Sequence, residues 1–142
     1  MPQELFGQSP SAALERLAEE LRRVHKSLID SVRRDYERSH GPVESPFALF
    51  SLVAHDPAFA WLGPMTRQIV EVEDLLGRKS APVGSDDLGR ARRAVRELLE
   101  TPGAPFADRY RERVRTDPAV AAQHGCLRAQ LGPGARPTSS PP

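Results

Sequence analysis

Four prolines before the Pro-, Gly- and Ser-rich C-terminal segment each directly follow a serine or an aspartate, and this pairing constrains the fold more than any other feature of the sequence. The four pairs are Ser9-Pro10, Ser45-Pro46, Asp56-Pro57 and Asp117-Pro118. A serine or aspartate side chain accepts a hydrogen bond from a free N–H group in the first turn of a helix, and proline is favoured there because it has no N–H group to leave unpaired. Each pair therefore predicts the start of a helix. The run Ser85-Asp86-Asp87 predicts a fifth start, because acidic side chains are favoured at the positive end of the helix dipole.

The segment that follows Pro10 has the apolar spacing of a long amphipathic helix. Six apolar residues recur at steps of three or four: Leu14, Leu17, Leu21, Val24, Leu28 and Val32. This spacing places them along one face, which is expected to lie against a core. We predict a helix from Pro10 to about Arg38, roughly 40 Å long, that Gly41-Pro42 ends. Part of the stripe approximates a heptad, so self-association through this helix is an alternative.

The second half of the chain predicts further helices by the same spacing. They run from Met65 to Leu76, from about Asp86 to Glu100, from about Pro105 to Arg115, and over a short segment from Pro118 to His124 that Gly125 ends. No segment has the alternation typical of a strand. We therefore predict an all-α, single-domain bundle of about five helices over residues 8–125. The remainder, residues 126–142, is rich in Pro, Gly and Ser and predicts a disordered tail.

The centre of the chain carries its most apolar segment, which prolines interrupt. The apolar residues of SPFALFSLVA lie on all sides of a helix, a pattern typical of a buried helix. The next stretch, HDPAFAWLGPM, holds the only Trp of the chain. Three interpretations stay open for it. Trp61 fills a gap in the core, or Phe59, Trp61 and Met65 line a pocket for a ligand or partner, or the cluster is an exposed interaction patch.

Composition bounds the class of protein. The chain has 142 residues, 39% hydrophobic and 27% charged, which suits one globular domain. Its 20 basic and 19 acidic residues nearly cancel, so no large net charge attracts it to nucleic acid or an anionic membrane. The single cysteine, Cys126, excludes an internal disulfide and fits a reducing compartment. The N-terminus lacks a signal-peptide pattern, and the most apolar stretch, residues 46–62, is interrupted by polar residues and Pro. We expect a soluble, cytoplasmic protein with no membrane partner.

Helical bundles often hold a metal or a haem between their helices, and the four histidines of this chain are of a type that binds such groups. None is part of an H-E-x-x-H motif, and the single Glu-x-x-His spacing, Glu37 to His40, is not repeated. The weak candidates are His25 and His55 with Asp35 or a carboxylate such as Glu73. Asp35 lies near the centre of the first helix's apolar stripe, so we expect an arginine or a neighbouring helix start to pair with it. His124 and Cys126 are too few for a site, and His124 is expected at a helix end.

Motifs for catalysis or phosphate binding are missing from the sequence, which has no G-x-S-x-G and no glycine-rich loop after a strand. Arginines are frequent from Arg90 to Arg115, but acidic residues are interspersed with them, which is typical of an ordinary solvated surface and argues against nucleic-acid binding. The favoured hypothesis is a cytosolic, non-catalytic protein-interaction or regulatory module that binds a protein partner or itself, with no cofactor. The alternative is a metal- or haem-holding bundle that uses His25 or His55.

Four motifs resemble those of a group of small bacterial, all-helical proteins of unknown function. That group pairs an R-x-D-Y-E helix with S-P-x-x-L and D-P-x-F-A-W-L-x-P segments and ends in a D-P-x-V…H helix. The corresponding residues here are Arg33–Glu37, Ser45–Leu49, Asp56–Pro64 and Asp117–His124. The resemblance covers most of the chain up to Gly125. It implies a compact helical fold, and it implies no activity or cofactor.

Overall fold

The computed structural model of the protein describes residues 9–132. These residues form seven helices and no strand, so the all-α prediction is confirmed for this part of the chain. The helices are α1 (Pro10–His40), α2 (Pro46–His55), α3 (Pro57–Ala60), α4 (Gly63–Leu76), α5 (Ser85–Glu100), α6 (Pro105–Thr116) and α7 (Pro118–Gln130). Most of the predicted disordered tail, residues 133–142, lies outside the described residues.

The long helix α1 is the centre of the bundle. All six apolar residues of its predicted stripe are buried, and α7, α4 and α5 pack against the helix. It begins where the capped proline predicts, with the Ser9 hydroxyl accepting a hydrogen bond from the Ala12 N–H at 3.1 Å. It ends at Gly41, whose φ of 85° lies in the left-handed region that glycine adopts without strain. The long first helix is therefore confirmed.

The other three capped prolines also begin helices. The side chains of Ser45, Asp56 and Asp117 accept hydrogen bonds from first-turn N–H groups of α2, α3 and α7 at 3.0, 2.9 and 3.0 Å. At the start of α5, the Asp87 carboxylate accepts one from the Gly84 N–H at 2.9 Å. Local capping chemistry thus determines where these helices begin.

The last helix is longer than predicted. α7 does not stop at Gly125 but continues to Gln130, so the first residues of the predicted tail are helical. Leu127 and Leu131, which lie four residues apart at the end of this helix, are both buried. Arg92 donates to the Gln130 carbonyl at 3.0 Å and thereby caps the negative end of the helix. This packing outweighs the modest helix-breaking tendency of one glycine.

The position of α2 differs most from the prediction. The helix exists, and prolines separate it from its neighbours as expected, but no residue of α2 is fully buried. The side chains of Phe47 and Phe50 are 79% and 70% exposed. Only one side of α2, formed by Leu49, Leu52 and Val53, packs in part against the core. The prediction of a buried helix is therefore wrong: the stripe of α1 is already covered by α4, α5 and α7, and α2 lies outside them.

Candidate interaction surface

The outer side of α2 carries Phe47 and Phe50, two of the three large hydrophobic side chains that are exposed in the described part of the chain. Phe47, Phe50, Ser51 and Ala54 are exposed and recur at the steps of three and four that place residues on one side of a helix. We call these four residues the α2 face. The helix contains no Lys, Arg, Asp or Glu. Large exposed apolar side chains that lie together are typical of protein–protein or membrane contact sites.

The three residues predicted to line a pocket occupy different environments. Phe59 and Met65 are almost completely buried, so both belong to the core. Trp61 is partly exposed and packs against Phe106, with ring centroids 5.6 Å apart. The guanidinium of Arg109 lies 5.8 Å from the Trp61 ring centroid, within range of a cation–π contact. Of the three, only Trp61 reaches the surface, and it does so beside an arginine.

The candidate metal ligands do not come together. His25 forms a hydrogen bond with the Thr66 hydroxyl at 3.0 Å, and burial lowers the pKa of its ring. His55 is exposed at the end of α2. Glu73 binds Arg22 at 2.9 Å instead of a histidine. Within residues 9–132 there is no group of three or more His, Cys, Asp or Glu side chains arranged to hold a metal ion.

Asp35 belongs to an ion network that joins α1, α6 and α7. Its carboxylate binds Arg113 at 2.7 Å, which confirms the expected arginine partner. Arg113 also donates to the buried Ser31 hydroxyl at 2.9 Å. On the other side of Ser31, Asp117 binds Arg34 at 2.5 Å. Burial raises the pKa of Asp117, but hydrogen bonds from Ser31 and from the first turn of α7 outweigh this effect and lower it. Arg38 also binds Asp35, and the network holds three helices together.

One partly buried polar pair was not predicted from the sequence. The hydroxyl of Tyr110 in α6 forms a 2.7 Å hydrogen bond with His124 Nδ1 in α7. Burial raises the pKa of Tyr110, whereas burial and then Arg128 lower the pKa of His124, so both groups are neutral near pH 7. His124 therefore lies inside a helix and contacts a tyrosine, and is not at a helix end. The pair borders a cavity of about 440 Å³ that Leu99 also lines.

The arginine-rich region has the mixed charge that the sequence predicts. Arg90 binds Asp87 at 2.7 Å, Arg111 binds Asp108 at 3.2 Å, and Arg115 binds Glu112. Arg96 donates to the carbonyl of Leu131 at the end of α7. A surface that reads phosphates would instead present basic groups without acidic neighbours.

Comparisons with protein families, with curated proteins and with solved structures found no match to this chain. The resemblance of its motifs to small bacterial helical proteins therefore stays a prediction. No helix among the described residues is both long and apolar enough to span a membrane.

The two neutral histidines predict acid-sensitive stability. His25 and His124 have lowered pKa values in the folded protein, whereas in the unfolded chain each is expected to titrate near 6.5. As the pH falls below about 6.5, the unfolded chain binds more protons than the folded one, so the free energy of unfolding falls, by at most about 1.4 kcal/mol per pH unit for each histidine. Urea unfolding measured between about pH 7.5 and pH 5 checks this, because most carboxylates titrate at lower pH.

Matched variants assign this pH dependence to the two histidines. In the double variant His25→Gln/His124→Gln, the free energy of unfolding is expected to depend much less on pH. Glutamine retains a hydrogen-bonding side chain but does not titrate in this range. His55→Gln, at an exposed position, is expected to keep the pH dependence of the wild type. An unchanged slope in the double variant would contradict the assignment.

Proposed function

We propose that the protein is a cytoplasmic protein-interaction module whose contact element is the α2 face, and that its partner is a protein with an apolar groove. The observation that carries this proposal is the exposure of Phe47 and Phe50, whose side chains are 79% and 70% exposed. They lie on a helix that contains no Lys, Arg, Asp or Glu. A helix that inserts apolar side chains spaced by three or four residues into a groove is a recurring mode of protein recognition.

The energetic argument is that both phenylalanines are exposed to water in the isolated chain. Burying one such side chain is worth about 1.5–3 kcal/mol. α2 is already folded, because Ser45 caps its first turn and Leu49, Leu52 and Val53 hold its other side against the core. A preformed helix loses little conformational entropy on binding, so most of the burial energy contributes to affinity.

A protein groove is a better match for α2 than a lipid surface. Helices that lie on membranes combine an apolar face with a polar face rich in Lys and Arg. The α2 helix has no Lys or Arg, and the nearest charged residues along the chain, Glu44 and Asp56, are acidic. These carboxylates would be repelled by anionic lipid headgroups.

To test the proposal, a photo-crosslinking residue is placed at position 47 in cells and the captured protein is identified. The purified partner is then titrated against three forms of this chain. The wild type and Val70→Ser are expected to bind alike, because Val70 is exposed on α4 outside the α2 face. Phe47→Ser/Phe50→Ser is expected to bind at least about 100-fold more weakly, which corresponds to about 2.7 kcal/mol.

Two results would contradict the proposal. In the first, the captured protein binds Phe47→Ser/Phe50→Ser as tightly as it binds the wild type. In the second, no protein is captured and the wild type, but not the double variant, binds vesicles of phosphatidylcholine and phosphatidylglycerol. That second result would assign the α2 face to a membrane.

A further inference from the structure

The cavity beside the Tyr110–His124 pair combines polar groups with apolar walls. It has a volume of about 440 Å³ and is lined by residues of α5, α6 and α7. Leu99 of α5 and Val114 of α6 contribute its apolar lining. The volume is within the range of about 300–1,000 Å³ that is typical of small-molecule sites. We call it the α5–α7 cavity, and no residue of α2 belongs to it.

The hydrogen bond between Tyr110 and His124 determines which nitrogen of the imidazole ring carries the proton. Tyr110 is 2% exposed, and within residues 9–132 its hydroxyl forms a hydrogen bond only with His124 Nδ1. If Nδ1 were the donor, the buried O–H of Tyr110 would be left without an acceptor in the protein, which is costly. The hydroxyl therefore donates, Nδ1 accepts, and the proton of the neutral ring lies on Nε2.

The Nε2–H group of His124 is a donor that the protein does not use. It forms no hydrogen bond with any residue of the described chain. The buried polar side-chain atoms without a partner in that part of the chain belong to Glu20 and Gln123, so Nε2 is not sealed in the core. Because His124 lines the α5–α7 cavity, this N–H group is accessible to an acceptor bound there.

Arg128 makes the surroundings of this donor positive. It also lines the cavity, four residues after His124 and therefore on the same side of α7. Its exposed guanidinium forms no ion pair within the described residues, whereas Arg111 on the α6 wall binds Asp108 at 3.2 Å. Glu100 is the acidic residue of the lining, and it raises the pKa of His124 by less than Arg128 lowers it. At the ring, the positive charge therefore has the larger effect.

We propose that the α5–α7 cavity binds a small organic acid. The carboxylate accepts hydrogen bonds from His124 Nε2–H and from the guanidinium of Arg128, and the apolar part of the acid packs against Leu99 and Val114. A guanidinium matches the geometry of a carboxylate and can bind both of its oxygens. This site is independent of the proposed function, because it contains no residue of the α2 face.

A carboxylate fits the cavity better than inorganic phosphate does. A phosphate group carries between one and two negative charges near neutral pH, and Glu100 would repel the additional charge. Phosphate also has no apolar part that could cover Leu99 and Val114. A monoanion with a short apolar chain uses both the donors and the apolar walls.

The test is a titration of the whole chain, followed by the ¹H–¹⁵N resonances of the His124 ring. The probe is 4-methylpentanoate, a monocarboxylate with a branched apolar chain, and its uncharged control is 4-methylpentanamide. We expect the acid to bind with a Kd below about 10 mM and the amide to bind at least about tenfold more weakly. With Glu100, Arg111 and Arg128 unchanged around the ring, bound acid is expected to raise the pKa of His124, because a nearby negative charge favours the imidazolium.

Three variants of exposed residues assign the binding to the cavity. Arg128→Gln is expected to weaken binding of the acid at least about tenfold. Arg93→Gln removes the same charge from α5 outside the cavity and is expected to bind like the wild type. Glu100→Gln is expected to bind about two- to fivefold more tightly, because it removes a repulsive charge. Far-ultraviolet circular dichroism establishes that each variant is folded.

Four results would overturn this inference. Equal affinity for acid and amide would mean that the cavity takes apolar groups without recognising an anion. Equal weakening by Arg128→Gln and Arg93→Gln would assign the effect to net charge. Tighter binding of inorganic phosphate than of 4-methylpentanoate would contradict the assignment to carboxylates. An unchanged His124 ring at about 10 mM acid, or a free protein with the proton on Nδ1, would remove the proposed donor. None of these results affects the crosslinking experiment at position 47.

Discussion

Replacing Phe59 by alanine is expected to lower the free energy of unfolding by about 3–5 kcal/mol, whereas replacing Phe47 by alanine is expected to change it by less than about 0.5 kcal/mol. The two residues have the same side chain and lie in neighbouring helices, but Phe59 is 1% exposed and Phe47 is 79% exposed. Phe59 packs on Tyr36 of α1, with ring centroids 6.2 Å apart. Its removal leaves a cavity between α3 and α1 that close-packed neighbours fill only in part.

Urea unfolding followed by circular dichroism measures both values, at a protein concentration where the wild type is monomeric so that association does not contribute. Phe50→Ala is the matched second control, because Phe50 is 70% exposed. A cost for Phe47→Ala as large as that for Phe59→Ala would mean that α2 is packed into the core of the monomer, and the proposed function would lose its main support.

Helix positions could be predicted from the sequence because they depend on local chemistry. The four cap-and-proline pairs begin helices by hydrogen bonds within three residues, such as that from the Ala12 N–H to Ser9. The spacing of apolar residues in α1 likewise predicts which side of the helix is buried. Both signals are contained in a few consecutive residues, so no knowledge of the tertiary fold is needed.

The burial of α2 could not be predicted in this way. A helix that is apolar on all sides has the same sequence pattern whether other helices of the chain cover it or it stays exposed for a binding partner. Which of the two applies depends on how much of the core α4, α5 and α7 already cover, and this is a property of the whole bundle. For this reason Phe47, which the pattern assigns to a buried helix, is exposed, whereas Phe59, for which a core position, a pocket and an exposed patch stayed open, is buried.

Long-range polar pairs were also beyond sequence reasoning. Tyr110 and His124 are 14 residues apart on different helices, and no local motif links them. The pairing of Asp35 with an arginine was predicted, but its partner, Arg113 on α6, was not, and the side chain is 41% exposed where the apolar spacing had placed it near the centre of the stripe. The end of α7 was missed because the burial of Leu127 outweighs the local effect of Gly125.

Replacing Asp117 by alanine is expected to lower the free energy of unfolding by about 2–3 kcal/mol. The side chain is 12% exposed and accepts hydrogen bonds from the first turn of α7. Losing this cap costs about 1 kcal/mol, and leaving the O–H of the buried Ser31 without its carboxylate acceptor costs about 1–2 kcal/mol more. The ion pair with Arg34 adds little, because Arg34 is largely exposed and water screens it.

Two further variants separate the cap from the charge. Asp117→Asn retains an oxygen that accepts from the helix N–H groups, so we expect it to recover about half of the loss. Glu19→Ala removes a carboxylate whose exposed pair with Arg23 lies on the surface of α1, and it is expected to cost less than about 0.5 kcal/mol. Because the pKa of Asp117 is lowered in the folded protein, its contribution is present at neutral pH and is lost as the pH falls through that lowered pKa. Equal urea midpoints for Asp117→Ala and Glu19→Ala would show that the network joining α1, α6 and α7 does not stabilise the bundle.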